Sequence, residues 1–319
     1  MCMTADYLEI SNGTLRARLL PQGAALNALW HSAVPRSLVL GWVDGAKGGY
    51  MGALVGPVAN RIGGAAVTID GTRWQIQPNE GVNCLHSGDQ GIHTRIWKVT
   101  EHSKDSVTFA LTLLHGDCGL PGRRVITARY ALEHAALRLD ICATTDRTTL
   151  VNIAHHPYWN LAGQGDVRGH HLLVHADSYL PVGPDKLPTG AQASVADLGL
   201  VARTSTPLID AAALDHNLCL APARSDALRP AARLTGPNSM QLSIATTEPG
   251  LQVYDGAGLR DTQNSANTGA RTGPYAGIAL EPQGWPDAPH HDGFPSIALR
   301  SGDNYRQTTL YTLELLQIP

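Results

Sequence analysis

Turn-forming residues recur along this chain at intervals too short for long helices, and the segments between them alternate in polarity. Glycine occurs 33 times and proline 20 times in 319 residues, spread throughout, and such punctuation interrupts a helical ladder. Val107, Phe109, Leu111 and Leu113 occupy every second position, which sets them on one face of a strand. Val67 and Ile69 run into Asp70-Gly71, and Trp74 and Ile76 follow; Asp-Gly between alternating runs signals a hairpin. Ile126, Ala128, Tyr130 and Leu132 alternate, as do Leu137, Leu139 and Ile141 after a short break. Ser243 to Thr246, the Glu248-Pro249-Gly250 turn and Leu251 to Tyr254 read as another hairpin, and Thr308 to Leu316 as a closing strand. The best helical candidate, Leu208 to Leu214, is short. No repeat, Pro-rich linker or low-complexity stretch divides the chain. The expectation is an all-β chain with one domain over residues 1–319, built as packed antiparallel sheets or a barrel.

Charge narrows the class of ligand. The 24 basic and 27 acidic residues leave a net charge of −3, with no block of like charge. A basic stripe for nucleic acid is absent, so phosphate-backbone binding lacks its electrostatic footprint. A polar, nearly neutral ligand fits better. Cys2, Cys84, Cys118, Cys142 and Cys219 are odd in number and form no CxxC pair, which argues against a disulfide scaffold and a thiolate zinc site. A reducing compartment is the simplest reading. The N-terminal segment MCMTADYLEISNGTLRARLL has no apolar core of signal-peptide length, and no later stretch is apolar for the roughly 20 residues of a membrane helix. The expected location is cytoplasmic, with no membrane partner.

Five local constellations are richer in functional groups than turns require: Val58 to Gly63, Asn83 to Gly88, Asn152 to Leu161, Leu214 to Asn217 and Gly277 to Ala288. Each has an ordinary reading. Arg61 alone reads best as a surface or salt-bridge arginine, His86 as a strand-end residue, Asp215 as a turn residue, and Trp159 and Trp285 as core. His155 and His156 lie in a run of strand character, so they face opposite sides and at most one reaches a given cleft. Glu281 is harder to dismiss, because it ends the apolar run Ile278-Ala279-Leu280, where a carboxylate is either paired or functional. His171 and His175 are four apart, but Leu172-Leu173-Val174 between them reads as strand, so they do not converge as on a helix. HExxH and GxSxG are absent, which argues against zinc and serine-nucleophile catalysis.

Taken in order, the five constellations resemble the aldose 1-epimerase (galactose mutarotase) family. Thr247 to Tyr254, Gly302 to Tyr305 and Pro188-Thr189-Gly190 add to the likeness, which runs from about Gly52 to Tyr311. The resemblance implies an antiparallel β-supersandwich with a sugar in an open cleft, and no cofactor or metal. It implies that Glu281 is the general base for the anomeric hydroxyl and His156 the general acid for the ring oxygen. It further implies that His86 hydrogen-bonds near that oxygen and that Arg61 and Asp215 orient sugar hydroxyls. Asn60 and Gln283 lie close to matched positions and rank below these as substrate-binding residues. The sequence also departs from the family pattern. Ser87 stands for the first glycine of His-Gly-Gly, His155 for an asparagine, Pro57 for an arginine, and His290 for an asparagine. Ser87 and His155 flank the active site, so these departures leave the sugar preference open and not the chemistry.

The chemistry suits the residue types. A cyclic aldose opens when its C1 hydroxyl loses a proton and its ring oxygen gains one, and positioned acid–base groups contribute ~10²–10⁴ each. A carboxylate is a weak base for a hydroxyl, so concerted protonation by an imidazole is needed, and imidazole titrates near neutrality. A glycosidase would need a second carboxylate across the bond, for which Asp215 is the candidate. A hexose-6-phosphate epimerase would need further cations to hold the phosphate. Arg61 is the only basic residue within the five constellations, so a neutral monosaccharide is expected. A non-catalytic sugar-binding protein on the same fold would have no need of both Glu281 and His156.

Overall fold

The computed structural model describes residues 7–42, 50–211, 213–263, 266 and 271–317. Cys2 and the first six residues of the N-terminal segment lie outside the described residues. The alternating runs form strands as expected. Ser106–Leu113, Arg124–Glu133 and Ala136–Thr145 make a meander, and Ala66–Ile69 pairs with Thr72–Gln75 around Asp70-Gly71. Both turn residues have positive φ, 47° at Asp70 and 75° at Gly71, as a tight two-residue hairpin requires.

Two large antiparallel sheets organise the chain. The nine-stranded sheet runs in the order Thr206–Pro207, His171–Val174, Arg229–Thr235, Met240–Thr246, Tyr305–Leu315, Ala136–Thr145, Arg124–Glu133, Ser106–Leu113, Lys98–His102. The six-stranded sheet runs Tyr158–Trp159, Ile278–Gln283, Gly250–Tyr254, Asp215–Cys219, Ser178–Tyr179, Ala193–Ser194. One continuous apolar cluster joins them: Val107, Phe109, Tyr130, Leu139, Tyr311 and Leu242 from the larger sheet meet Trp159, Leu218, Leu251, Val253, Ile278 and Leu280 from the smaller. Antiparallel β-sheets packed face to face are thus the architecture expected from the sequence.

Two local expectations change. Met240–Thr246 and Gly250–Tyr254 are not a hairpin. The first pairs with Arg229–Thr235 and Tyr305–Leu315, the second with Asp215–Cys219 and Ile278–Gln283. Thr247-Glu248-Pro249 carries the chain from one sheet to the other. The crossing is fixed by Arg224, whose Nε and Nη2 donate to the fully buried Glu248 carboxylate at 2.6 and 2.9 Å, and by Trp285, whose Nε1 donates to Pro249 O at 3.0 Å. Over Leu208–Leu214, where residue 212 lies outside the described set, the regular structure is one 3-10 turn, Leu208–Asp210. The closing strand is Tyr305–Leu315, three residues longer at its start than expected.

The six-stranded sheet positions the site through its period of two. Paired residues in register share a face. Asp215 pairs with Tyr254 and Tyr254 with Ala279; Asn217 pairs with Gln252 and Gln252 with Glu281. Tyr158 also pairs with Ala279. Leu218, Leu251, Val253, Ile278 and Leu280 project to the other side, into the core. One face of this sheet is therefore apolar, and the other is a polar floor.

Candidate active site

A cleft of about 200 Å³ opens above that floor, lined by Asp215, Gln252, Tyr254, Glu281 and Tyr158 from the sheet. Its walls come from Tyr50, Asn60, Arg61, Leu85, His86, His156 and Lys186. Of the seven residues that sequence reasoning assigns to a site, six line this one cleft. Gln283 does not: it sits two positions beyond Glu281 on the same face but is wholly buried, beside Gly250.

Short paired segments hold the wall residues. Arg61–Ile62 pairs with Cys84–Leu85, bringing Arg61 beside His86. Asn60 adopts φ 61°, a left-handed conformation that asparagine tolerates better than most residues. In that conformation its N–H donates to His86 Nδ1 at 3.0 Å, and its carbonyl accepts from His86 N–H at 3.0 Å. Asn60 thus orients His86. Because Nδ1 accepts, the proton of the neutral imidazole sits on Nε2, which is then a donor. Burial drives the His86 pKa well below its ordinary value, with the charges of His156, His93 and Arg61 acting in the same direction, so the neutral donor form is the resting one.

His155 and His156 diverge as strand geometry requires. Ala154–His155 pairs with Leu54–Val55. His155 turns into the core, with its ring edge-on to Tyr130 and Tyr311 and its Nδ1 3.1 Å from the Tyr311 hydroxyl. His156 turns into the cleft, where its Nε2 lies 3.4 Å from Glu281 Oε1. Gly52 holds the His156 backbone by donating to its carbonyl at 2.8 Å. At φ 72° a Cβ on Gly52 would come within 2.1 Å of the Leu26 carbonyl oxygen, so glycine is required there. Ser87 also points away from the cleft. Its hydroxyl accepts from Val58 N–H at 2.9 Å and donates to Val58 O at 3.1 Å. Ser87 and His155 are therefore supports behind the wall and do not line the cleft. His290 lies outside the cleft and pairs through Nδ1 with Asp287 Oδ1 at 2.6 Å, which raises its pKa.

Electrostatics set the acid–base pair. Glu281 is 2% exposed, and its Oε2 has no hydrogen-bond partner among the described residues. Burial raises its pKa well above the carboxylate range; the Asp215 charge adds to this and Arg61 opposes it. Burial pulls His156 down to about 4. Burial disfavours the charged form of each group, and a proton passing between them leaves the net charge of the pair unchanged. The cleft's cations are matched. Arg61 donates through Nε and Nη2 to Glu80 at 2.5 and 3.0 Å, and Lys186 Nζ lies 3.0 Å from Asp215 Oδ2. Gln252 Nε2 donates to Asp215 Oδ1 at 2.8 Å. Sequence reasoning missed Gln252, Lys186, Tyr50, Tyr158 and Tyr254. The alternation Gly250, Gln252, Tyr254 against Leu251 and Val253 was a usable signal for two of them.

One possible metal-ligand set exists among the described residues: atoms of His86, His156 and Glu281 lie within 4.8 Å of one another. The set does not suit a metal. His86 would have to give up its Asn60 hydrogen bond or coordinate through a nitrogen that carries the proton, and metal ligation requires a free imidazole lone pair. The trio instead provides an acid–base pair with a neighbouring neutral donor.

A buried carboxyl–imidazole pair beside uncharged and ion-paired polar groups, on the floor of a β-sandwich cleft, is an arrangement suited to a sugar isomerase. The family model described as aldose 1-epimerase matches residues 6–312, and the chain belongs to that family. It is 32% identical over 323 residues to galactose mutarotase of Bos taurus, covering 97% of this chain and 94% of that one. It is 34% identical over 328 residues to aldose 1-epimerase of Escherichia coli (strain K12), covering 97% and 91%. A solved GalM/aldose epimerase homologue from C. elegans superposes with a TM-score of 0.90 at 32% identity, covering 98% of this chain and 99% of that one.

Proposed function

We propose that this enzyme interconverts the α and β anomers of a free neutral aldose, with Glu281 as base and His156 as acid. The observation that carries the reading is the buried Glu281 carboxyl, which has one oxygen against His156 and the other unpartnered among the described residues. A buried acceptor without a donor costs about 1–3 kcal/mol, and a sugar hydroxyl is a donor that would satisfy it. In the forward step Glu281 takes the proton of the C1 hydroxyl. The C1–ring-oxygen bond breaks as C1 becomes a carbonyl, and His156 delivers its proton to the ring oxygen. Rotation about C1–C2 presents the other carbonyl face, and the two groups then reverse roles. Burial strengthens both partners, since a carboxylate that resists charging is a better base and an imidazolium that resists charging a better acid. His86, as a neutral Nε2–H donor, suits the ring oxygen.

The charge pairing supports a neutral sugar over a phosphate ester. Both lining cations, Arg61 and Lys186, already face carboxylates, so a phosphate dianion would have to displace one of them. The four described cysteines are free thiols, which fits the cytoplasm, and no helix among the described residues is long and apolar enough to cross a membrane. The test is polarimetry of freshly dissolved α-D-galactose and α-D-glucose with wild-type protein and with Glu281→Gln. Wild type is expected to speed the approach to equilibrium rotation, and folded Glu281→Gln to lose about 10²–10⁴ of kcat. Full activity in folded Glu281→Gln would overturn the assignment. A clearly higher kcat/KM for glucose 6-phosphate would transfer the reading to a phosphosugar epimerase.

A further inference from the structure

The turn that carries Lys186 is built to deliver one cation to the cleft. Gly183 N–H donates to Leu187 O and Lys186 N–H to Gly183 O, both at 2.9 Å, and Asp185 Oδ1 accepts from Leu187 N–H at 3.3 Å. Val182 bridges to Pro188, closing the base of the turn. Leu187 packs against the backbone next to Arg61, where its Cδ1 would lie 3.1 Å from a Cβ added at Gly63. Within this turn Lys186 adopts φ 59°, a left-handed conformation unfavourable by roughly 1–2 kcal/mol for a residue with a Cβ.

The result is a donor–acceptor pair on the cleft wall. Lys186 Nζ is 3.0 Å from Asp215 Oδ2, Arg61 Nη2 is 3.9 Å from the same oxygen, and Gln252 Nε2 holds Oδ1 at 2.8 Å. An ammonium has three donors and a carboxylate about four acceptor sites. After their mutual bond, both groups still have capacity on the cleft side. A sugar hydroxyl is at once donor and acceptor, so one lodged between them can donate to Asp215 while accepting from Lys186.

We infer that Lys186 is a specificity-determining residue that, with Asp215, clamps one hydroxyl of the sugar distant from C1. The inference rests on the aldose reading above. It assigns Lys186 to recognition of a neutral hydroxyl and leaves the proton transfers to Glu281 and His156. Hydrogen bonds to charged groups are the ones whose loss strongly discriminates between a hydroxylated substrate and its deoxy analogue.

The test compares wild type with Lys186→Met, which keeps the length of the stem without the charge, on galactose, glucose and a series of monodeoxy sugars. KM for the parent sugars is expected to rise about tenfold with kcat within twofold. For one deoxy sugar, the one lacking the clamped hydroxyl, wild type and variant are expected to have the same KM. Lys186→Arg is expected to recover part of the loss. Thermal melts of the variants are expected to match wild type, because Lys186 is half-exposed and exposed ion pairs contribute about 0–1 kcal/mol. An unchanged KM in Lys186→Met would reduce Lys186 to a surface ion pair and overturn the inference. An equal loss on every deoxy sugar, or a wild-type preference for uronic acids that the variant abolishes, would overturn it as well. If wild type fails to mutarotate any sugar, the functional reading itself fails, an outcome distinct from these.

Discussion

Two adjacent histidines with opposite surroundings predict a double dissociation between stability and catalysis. Replacing His155 by asparagine removes two edge-on aromatic contacts, with Tyr130 and Tyr311 at ring distances of 5.6 Å, and the partner of the Tyr311 hydroxyl. Aromatic pairs contribute about 0.5–1.5 kcal/mol each, and a buried polar group left unpaired costs about 1–3 kcal/mol. With part of the hydrogen bonding recovered by the asparagine amide, the expected loss is about 2–4 kcal/mol. For a chain of this size that lowers Tm by roughly 3–6 °C. His155 does not touch the cleft, so kcat is expected to stay within tenfold, a barrier change of about 1.4 kcal/mol. His156→Asn reverses the pattern. Its ring faces the cleft beside Glu281, so the melt moves less while kcat falls by about 10²–10⁴. Calorimetry gives the stabilities, and polarimetry of fresh α-anomer at a temperature where both variants are folded gives the rates. A folded, inactive His155→Asn alongside an active His156→Asn would refute the reasoning and make His155 the acid.

Four further outcomes follow from the same geometry. The proposed mechanism needs one proton on the Glu281–His156 pair, and the acid limb of kcat/KM reports a second proton entering it. It is expected near pH 4, the depressed His156 value, and a midpoint at 6.5 would show that His156 is not the acid. Stability is expected to fall earlier than activity. His93, His155, His156 and His170 are held neutral, at about 4, 3, 4 and 4 against 6.5 when unfolded. At these four groups the folded state therefore binds fewer protons than the unfolded one below pH 6.5, so their contribution to stability falls as pH drops through that range, with the raised Glu281 opposing it in part. Urea midpoints at pH 7.5 and 5.5 measure this, and equal midpoints would contradict it. Arg224→Met, which strands the fully buried Glu248 at the sheet crossing, is expected to cost about 3–5 kcal/mol, read by the same denaturation. Activity is expected to survive dialysis against EDTA, and recovery of a lost rate by added zinc or magnesium would reverse the conclusion drawn from the His86 tautomer.

What was legible in the sequence is what a single strand or turn determines. Alternation at Val107 to Leu113 and the Asp70-Gly71 turn depend on neighbouring residues alone, and the strands stand where the pattern puts them. The family resemblance brought Arg61, His86, His156, Asp215 and Glu281 together, and all five line one cleft. Partnerships over long separations left no local trace. Ser243 to Tyr254 reads as strand, turn, strand, yet Glu248 is taken up by Arg224, 24 residues earlier, and the chain changes sheets. Glu80 meets Arg61 across 19 residues, and Lys186 meets Asp215 across 29. A charge count restricted to motifs therefore found one cation where the folded cleft has two, each facing a carboxylate.

The sheet crossing and the buried acid–base pair belong to one solution. Gly250–Tyr254 must lie between Asp215–Cys219 and Ile278–Gln283 for Gln252 to stand beside both Asn217 and Glu281. A hairpin with Met240–Thr246 would have put that strand in the nine-stranded sheet and left the cleft without its floor. Once it crosses, the period of two sends Leu251 and Val253 into the core and Gln252 and Tyr254 into the cleft. The apolar face supplies burial at roughly 25 cal/mol per Å², and this offsets the cost of keeping Glu281 and His156 away from water on the polar face. That desolvation raises one pKa and lowers the other. The packing that makes the sheet stable is therefore also what raises the basicity of its carboxylate, and under the proposed mechanism a more solvated Glu281 would cost less to fold and be weaker as the base.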